Sequence, residues 1–470
     1  MFFQRYYDDK LAQASYLIGC QAHGTALVMD PSRVIAPYLK TAAAEGLRIT
    51  AVAETHIHAD FVSGLRELAA ATGATAHLSG CGPAEWQYQF RDAPNTVVLA
   101  DGGEIRIGNV VVKAVHTPGH TPEHLSFLVT DGATAADPIG ILSGDFVFVG
   151  DVGRPDLLEK AAHVANTAEL GARQLYRSLG WFKTLPDHLQ VWPGHGAGSA
   201  CGKGLGAMPQ STVGYERRYG WAFGAGSEEE FIRQVLADQP EPPRYFGRMK
   251  QVNRDGPPVL GQLPVPPPLT AASLTNLLTD GAIVVDTRST VDFAAGHWAG
   301  TINIPLSKNF TTYAGSLLPY DQPLHFLLEN LEVESVATLV RSLVSIGLDR
   351  IAGVGGTAAM EGVGRPREIL RQVSVGALAG LPSEGAVVID VRNRSEWNGG
   401  HLPGARLIPL PELTDRLEEI PADRQVVVHC QSGGRSSVAA SVLLAAGRSR
   451  VANLAGGYAA WVASGGRPER

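Results

Sequence analysis

Thr55-His56-Ile57-His58-Ala59-Asp60-Phe61 places two imidazoles and a carboxylate within five consecutive residues. The stretch follows Ile49 to Ala53, an apolar run that reads as a buried strand. A loop leaving a strand end is a rigid platform from which side chains can converge on a metal. Histidine and aspartate are donors that suit zinc or ferrous iron. Phe61 stands where a second metal would call for another donor, and it cannot coordinate anything.

Working outward, Tyr16-Leu17-Ile18 and Thr25 to Met29 read as two strands joined by a polar turn. A helix is expected from about Val34 to Glu45, stopped by Gly46. Helices near Ser63 to Thr72 and Glu159 to Leu179 then alternate with short β-rich runs, which describes one layered α/β domain over residues 1–238. Within it, His120 (in Thr117-Pro118-Gly119-His120), Asp145 (in Ser143-Gly144-Asp145) and His195 (in Pro193-Gly194-His195) sit at strand ends beside glycine. Each alone would be a surface or capping residue; together they fit the loop-borne ligands of a metal site. His116, His124, His163 and His188 receive no role. Cys201, among glycines and beside Lys203, is a candidate accessory thiol, expected to be accessible near the pocket.

The chain has 470 residues, which suggests about three domains. A net charge of −7, with no basic run, argues against a nucleic-acid partner. No stretch approaches the ~18 uninterrupted apolar residues of a membrane span, and Met1 to Lys10 lacks the apolar core of a signal peptide. Cys20, Cys81, Cys201 and Cys430 form no Cys-x-x-Cys pair, so a reduced, cytoplasmic compartment is expected.

The proline-rich stretch from Pro240 to Pro268 is expected to be an extended connector, spanning 239–269. Beyond it the chain repeats itself. Ile283-Val284-Val285-Asp286-Thr287-Arg288 matches Val387-Val388-Ile389-Asp390-Val391-Arg392, and Gly296-His297 matches Gly400-His401, at an offset of 104. Two copies of one parallel α/β domain are expected, at 270–362 and 372–470, joined near Gly362 to Arg371. In the last copy a buried strand leads into His429-Cys430-Gln431-Ser432-Gly433-Gly434-Arg435 and a helix. Backbone N–H groups, the helix start and Arg435 all favour a thiolate at Cys430 and would cradle an anion.

The final copy, from Val373 to Trp461, resembles the rhodanese family of sulfurtransferases. The resemblance implies that Cys430 is the catalytic nucleophile that accepts sulfane sulfur as a persulfide. It further implies that Arg435 assists and that Gln431, Ser432, Gly433 and Gly434 bind substrate. Applied to this loop, the offset of 104 puts Phe326 at the place of Cys430, His325 at that of His429 and Leu331 at that of Arg435. The middle copy therefore reads as a degenerate one, without the active-site cysteine.

The order of histidine and aspartate motifs in residues 1–238 resembles the metallo-β-lactamase superfamily, which implies an αββα sandwich. Within it the likeness is to persulfide dioxygenases of the ethylmalonic-encephalopathy-protein type, fused to rhodanese modules. That resemblance implies one Fe(II) held by His56, His120 and Asp145. His58, Asp60 and His195 would orient those ligands and hold water, and Arg154 would bind the thiol-carrier part of the substrate or pair with Asp151 or Asp156. The expected chemistry is oxidation of a low-molecular-weight persulfide (of glutathione, coenzyme A or another thiol) with O2 to thiol and sulfite. Cys430 would move sulfane sulfur to or from sulfite and thiosulfate, in a homo-oligomer serving sulfide detoxification. The donors alone leave open a zinc site of His56, His58 and His120 in a thioester hydrolase of the glyoxalase II kind. A non-enzymatic sulfane-sulfur carrier or sensor is the third possibility.

Overall fold

The strand Gln13–Cys20 is buried along its whole length. Its alternating side chains part to two faces, Tyr16, Ile18 and Cys20 entering one apolar core and Leu17 another. A strand buried on both faces needs a covering layer on each side. In the computed structural model, which describes residues 1–162, 166–357, 366–378, 380–381 and 385–470, those layers are present. His163 lies outside the described residues, as do residues 362–365 of the expected joint between the repeat copies. The chain forms two compact units, Met1–Leu263 with Val344–Gly347, and Pro264–Leu343 with Leu348–Arg470.

In the first unit, Phe2–Asp8, Gln13–Cys20, Thr25–Met29, Arg48–Ala53, Thr75–Ser79 and Thr96–Leu99 lie side by side in chain order. A second sheet runs Ser211–Thr212, Gln190–Pro193, Gly140–Gly144, Leu125–Asp131, Val110–His116 and Glu104–Ile107. Between them Tyr16, Ile18, Leu27 and Met29 pack with Val112, Phe127, Leu142 and Trp192. Helices Ala36–Ala44 and Leu65–Thr72 cover the first sheet through Tyr38, Ala42, Leu65 and Leu68. Helices Thr167–Phe182 and Glu228–Leu236 cover the second through Leu175, Leu179, Phe231 and Val235. Each such buried large side chain contributes about 1.5–3 kcal/mol. The result is the expected αββα sandwich.

The structure corrects the extended connector. Phe246–Asp255 is an α-helix whose buried residues, Phe246, Met249, Lys250 and Asn253, follow helical spacing, and it belongs to the first unit. The prolines flank this helix, so they bound it instead of forbidding it.

The second unit holds two parallel sheets. One is ordered Thr301–Asn303, Ile283–Asp286, Leu324–Leu328, Ile351–Gly356. The other is ordered Arg371–Val373, Val451–Leu454, Val426–His429, Val387–Asp390, Arg406–Leu407. The copies share an arginine fork: Arg288 grips Asp286 and reaches Gly296 O, as Arg392 grips Asp390 and reaches Gly400 O. A buried hydrogen bond from Asn303 N to Ser441 Oγ, 2.8 Å, joins one copy to the other.

Strand register corrects the repeat alignment at one place. Asp390 lies across from His429, whereas Asp286 lies across from Leu327. The middle copy is thus offset by two residues at this strand, and Leu328, not Phe326, takes the place of Cys430. His325 is not the counterpart of His429. Leu328-Glu329-Asn330-Leu331 still lacks the thiol and the glycines.

Candidate metal centre and thiol loop

Four loops at strand ends bring the metal-type donors together. His56, His120 and Asp145 form one buried group whose ligand atoms all lie within 4.8 Å of one another. His56 Nε2 and His120 Nε2 stand 3.9 and 3.4 Å from Asp145 Oδ2. Hydrogen bonds at the opposite ring nitrogens set the tautomers. His120 Nδ1 lies 3.0 Å from the Arg154 carbonyl, which can only accept, so Nδ1 carries the proton and Nε2 keeps its lone pair. For His56 the argument passes through Thr55, whose hydroxyl donates to Asp30 Oδ2 at 3.0 Å. Having spent its proton there, Thr55 Oγ1 accepts from His56 Nδ1 at 2.9 Å.

Burial pushes both imidazoles well below their usual pKa, with His58 next in importance at His56 and Lys250 at His120. Both are therefore neutral, as ligands must be. Burial likewise raises Asp145, to about 6. Both Asp145 oxygens are buried without a hydrogen-bond partner, an expensive arrangement that a cation between the three groups relieves. These donors fit a metal; iron and zinc are both compatible with them.

The three supporting groups differ in placement. His58 Nε2 turns to Asp30 at 3.1 Å. Burial alone would lower its pKa, but the charge and hydrogen bond of Asp30 outweigh that and raise it to about 9. That bond uses one ring nitrogen only: Nδ1 of His58 is buried without a hydrogen-bond partner, in a ring centred 4.3 Å from that of His56, so the donors are also compatible with a His56–His58–His120 zinc site. Asp60 and His195 join Cys201 in a second buried group of donor atoms within 4.8 Å of one another. His195 Nε2 lies 3.4 Å from Asp60 Oδ2 and 3.5 Å from Asp145 Oδ1, and its Nδ1 is held by the Ala12 carbonyl. Phe61 packs its ring 4.5 Å from that of His58. It removes one donor, yet Asp60, His195 and Cys201 remain to hold a second ion.

One expected site residue is corrected. Cys201 is 1% exposed, so it is not an accessible thiol, and burial beside Asp145 and Asp60 raises its pKa well above the usual value. Arg154 is fully buried, and of its two expected roles the structure shows the ion pair with Asp156. It grips Asp156 through Nε and Nη2 at 2.7 and 2.8 Å and donates from Nη1 to the carbonyls of Ala200 and Pro240. It braces the loop that carries Cys201.

In the second unit, Cys430 follows the strand Val426–His429 and precedes the helix Gly434–Ala445. Its Sγ accepts a hydrogen bond from Gly433 N at 3.2 Å; Ser436 Oγ lies 3.4 Å from it, with its proton directed to Asn453 Oδ1 at 2.6 Å. Gly433 takes a φ of 102°, a left-handed conformation suited to glycine. Gly457 closes on the same loop: a Cβ there would lie 2.4 Å from Cys430 O. Arg435 is bound to Glu396 by two contacts of 2.7 Å. Its charge reaches Cys430, but its donors are directed to the carboxylate.

A metallo-β-lactamase superfamily model matches residues 8–195, and a rhodanese-like domain model matches residues 374–464. A metallo-β-lactamase structure from Staphylococcus aureus subsp. aureus COL is 45% identical, with a TM-score of 0.69, over 76% of this chain and 99% of that one. The chain belongs to the metallo-β-lactamase superfamily and carries a rhodanese-like domain. The hydroxyacylglutathione hydrolase of Methylococcus capsulatus is 32% identical over 38% of this metallo-β-lactamase superfamily chain and 60% of that protein. The chain thus spans about 60% of that relative's length. A sulfurtransferase of Allochromatium vinosum is 40% identical over 18% of this chain and 78% of that protein.

Several residues that shape this metallo-β-lactamase site escaped the sequence. Asp30, at a positive φ of 49°, accepts from Thr55 N, Thr55 Oγ1 and His58. Its position directly after a strand was the available signal. His124 Nε2 accepts from Asp145 N at 3.1 Å and so holds the ligand's backbone. Asn253 donates to the carbonyls of His58 and Phe61 and accepts from Ser63 N, clamping the ligand loop from below. Among the described residues no helix is long and apolar enough to cross a membrane.

Proposed function

We propose that the first unit is a mono-iron dioxygenase that oxidises a low-molecular-weight persulfide, and that the rhodanese-like domain moves sulfane sulfur through Cys430. The observation that carries this is the buried group of two neutral imidazoles and one carboxylate, His56, His120 and Asp145. His56, His120 and Asp145 would hold Fe(II), and activation of O2 and of the persulfide sulfur is the chemistry the metal would supply. The overall reaction balances as RSS⁻ + O2 + H2O → RSH + SO3²⁻ + H⁺, the terminal sulfur losing the four electrons that reduce O2. At the second site, Cys430-S-S⁻ + SO3²⁻ gives Cys430-S⁻ + S2O3²⁻, or the reverse. A thiol loop for sulfane sulfur in the same chain supports the pairing, because the two sites would share substrates. The thiol carrier, a homo-oligomeric state and a cytoplasmic setting belong to the same proposal.

Asp60, His195 and Cys201, together with the hydroxyacylglutathione hydrolase relative, favour a second possibility: a zinc thioester hydrolase with an appended sulfurtransferase. Anaerobic purification, metal analysis and O2 uptake with glutathione persulfide separate the two. The dioxygenase requires iron, O2 consumption and sulfite. Stoichiometric zinc with thiol release from a lactoyl thioester and no O2 uptake would establish the hydrolase instead.

A further inference from the structure

Lys250 is the one lysine in the buried stripe of the helix Phe246–Asp255, and it is 5% exposed. An ammonium carries three N–H donors and is costly to bury unless they are used. One of them reaches Ile57 O at 3.2 Å, the carbonyl between His56 and His58. That carbonyl is the acceptor the structure provides among the described residues. On the outer side, Nζ lies 5.8 Å from the ring of half-buried Trp86. Burial lowers the pKa of Lys250, and Glu123, Asp145 and Cys201 act against that, while its charge is felt at His56, His120 and His124. Glu123 spends Oε1 on Ile57 N, and its Oε2 is buried without a hydrogen-bond partner. An ammonium with donors to spare therefore stands against the loop that carries His56 and His58, with the Trp86 ring nearby.

We propose that Lys250 is the anion-recognition residue of this site, its ammonium receiving the charged end of a small sulfur oxyanion or persulfide beside His120 and Asp145. The proposal rests on the dioxygenase reading only for its choice of anion. A fixed cation at low dielectric favours a ligand that is anionic when bound, whereas a neutral metal ligand gains nothing from it. Selectivity by charge therefore separates recognition from a purely structural role, such as pairing with Glu123.

The test uses full-length metal-loaded protein under nitrogen, titrated with sulfite and separately with neutral imidazole at pH 8. Lys250→Gln is expected to bind sulfite at least tenfold more weakly while its imidazole affinity stays within twofold and its metal content is unchanged. Lys250→Arg, which keeps the charge, should recover most of the sulfite affinity. If the arginine does not fit, butylammonium added to Lys250→Ala should do so. Equal sulfite affinity in wild type and Lys250→Gln overturns the proposal, as does a parallel loss of sulfite and imidazole binding or a wild type that binds no sulfite. O2 uptake with glutathione persulfide is measured alongside. Its absence would remove the dioxygenase and leave the sulfite comparison to decide Lys250.

Discussion

Thr55 does more for the metal group than its lack of a coordinating atom suggests. Its hydroxyl passes the charge of Asp30 to His56 by donating to one and accepting from the other. Thr55→Val keeps the shape and removes both bonds, freeing His56 to turn or change tautomer. Loss of such a support costs roughly 10–100-fold in metal affinity, and competition with a chelator of known affinity measures it. The Arg154–Asp156 pair makes a different prediction. Burial alone would raise Asp156, but hydrogen bonds and charge from Arg154 and Lys160 outweigh it and hold it below its usual value. A depressed carboxylate stabilises the fold above its unfolded pKa, about 4, and that contribution is lost as pH falls further, through the folded value. Asp156→Asn should cost about 3–5 kcal/mol at neutral pH, since it strands a buried arginine. Denaturant titrations between pH 7 and 3 should show the variant losing less stability on acidification than the wild type.

At the scale of elements, the helix Phe246–Asp255 is the part that organises most while announcing least. Asn253→Ala leaves two carbonyls and one N–H of the ligand loop unpaired, a loss of about 3 kcal/mol. Thermal melting with and without metal should show the loss, together with weaker metal retention. The sandwich and the four ligand loops were legible because strand-end glycines and histidines recur in sequence. This helix was not, since two of its four buried positions are polar and prolines flank it, so neither apolar periodicity nor breaker residues pointed to a packed helix. The Cys430 loop was legible for the opposite reason: a strand, glycines and a helix start are contiguous there. The Arg154–Asp156 pair was legible as one of two expectations because the residues are two apart, but no local pattern revealed that the carbonyls of Ala200 and Pro240 would take the rest of the arginine or that the Cys201 thiol would be buried.

For the whole molecule, the division into two compact units predicts two separable responses. Removing metal with a chelator should lower the melting transition of the first unit, where Asp145 is left with unpartnered oxygens, and leave a second transition in place by calorimetry. Cys430→Ser should abolish thiosulfate formation from sulfite while O2 uptake with glutathione persulfide continues. Loss of both activities would mean that the units do not work independently.

The two-residue slip in the middle copy bears on any attempt to revive it. A cysteine placed at Phe326 would sit inside the strand Leu324–Leu328, its sulfur walled into the sheet. The homologous place is Leu328, which is itself still in that strand. A working second thiol would therefore require a graft of the whole turn from 328 to 333, glycines included, so that the strand ends one residue earlier. The thiol loop of the last copy thus depends on where its strand ends as much as on which side chain follows it.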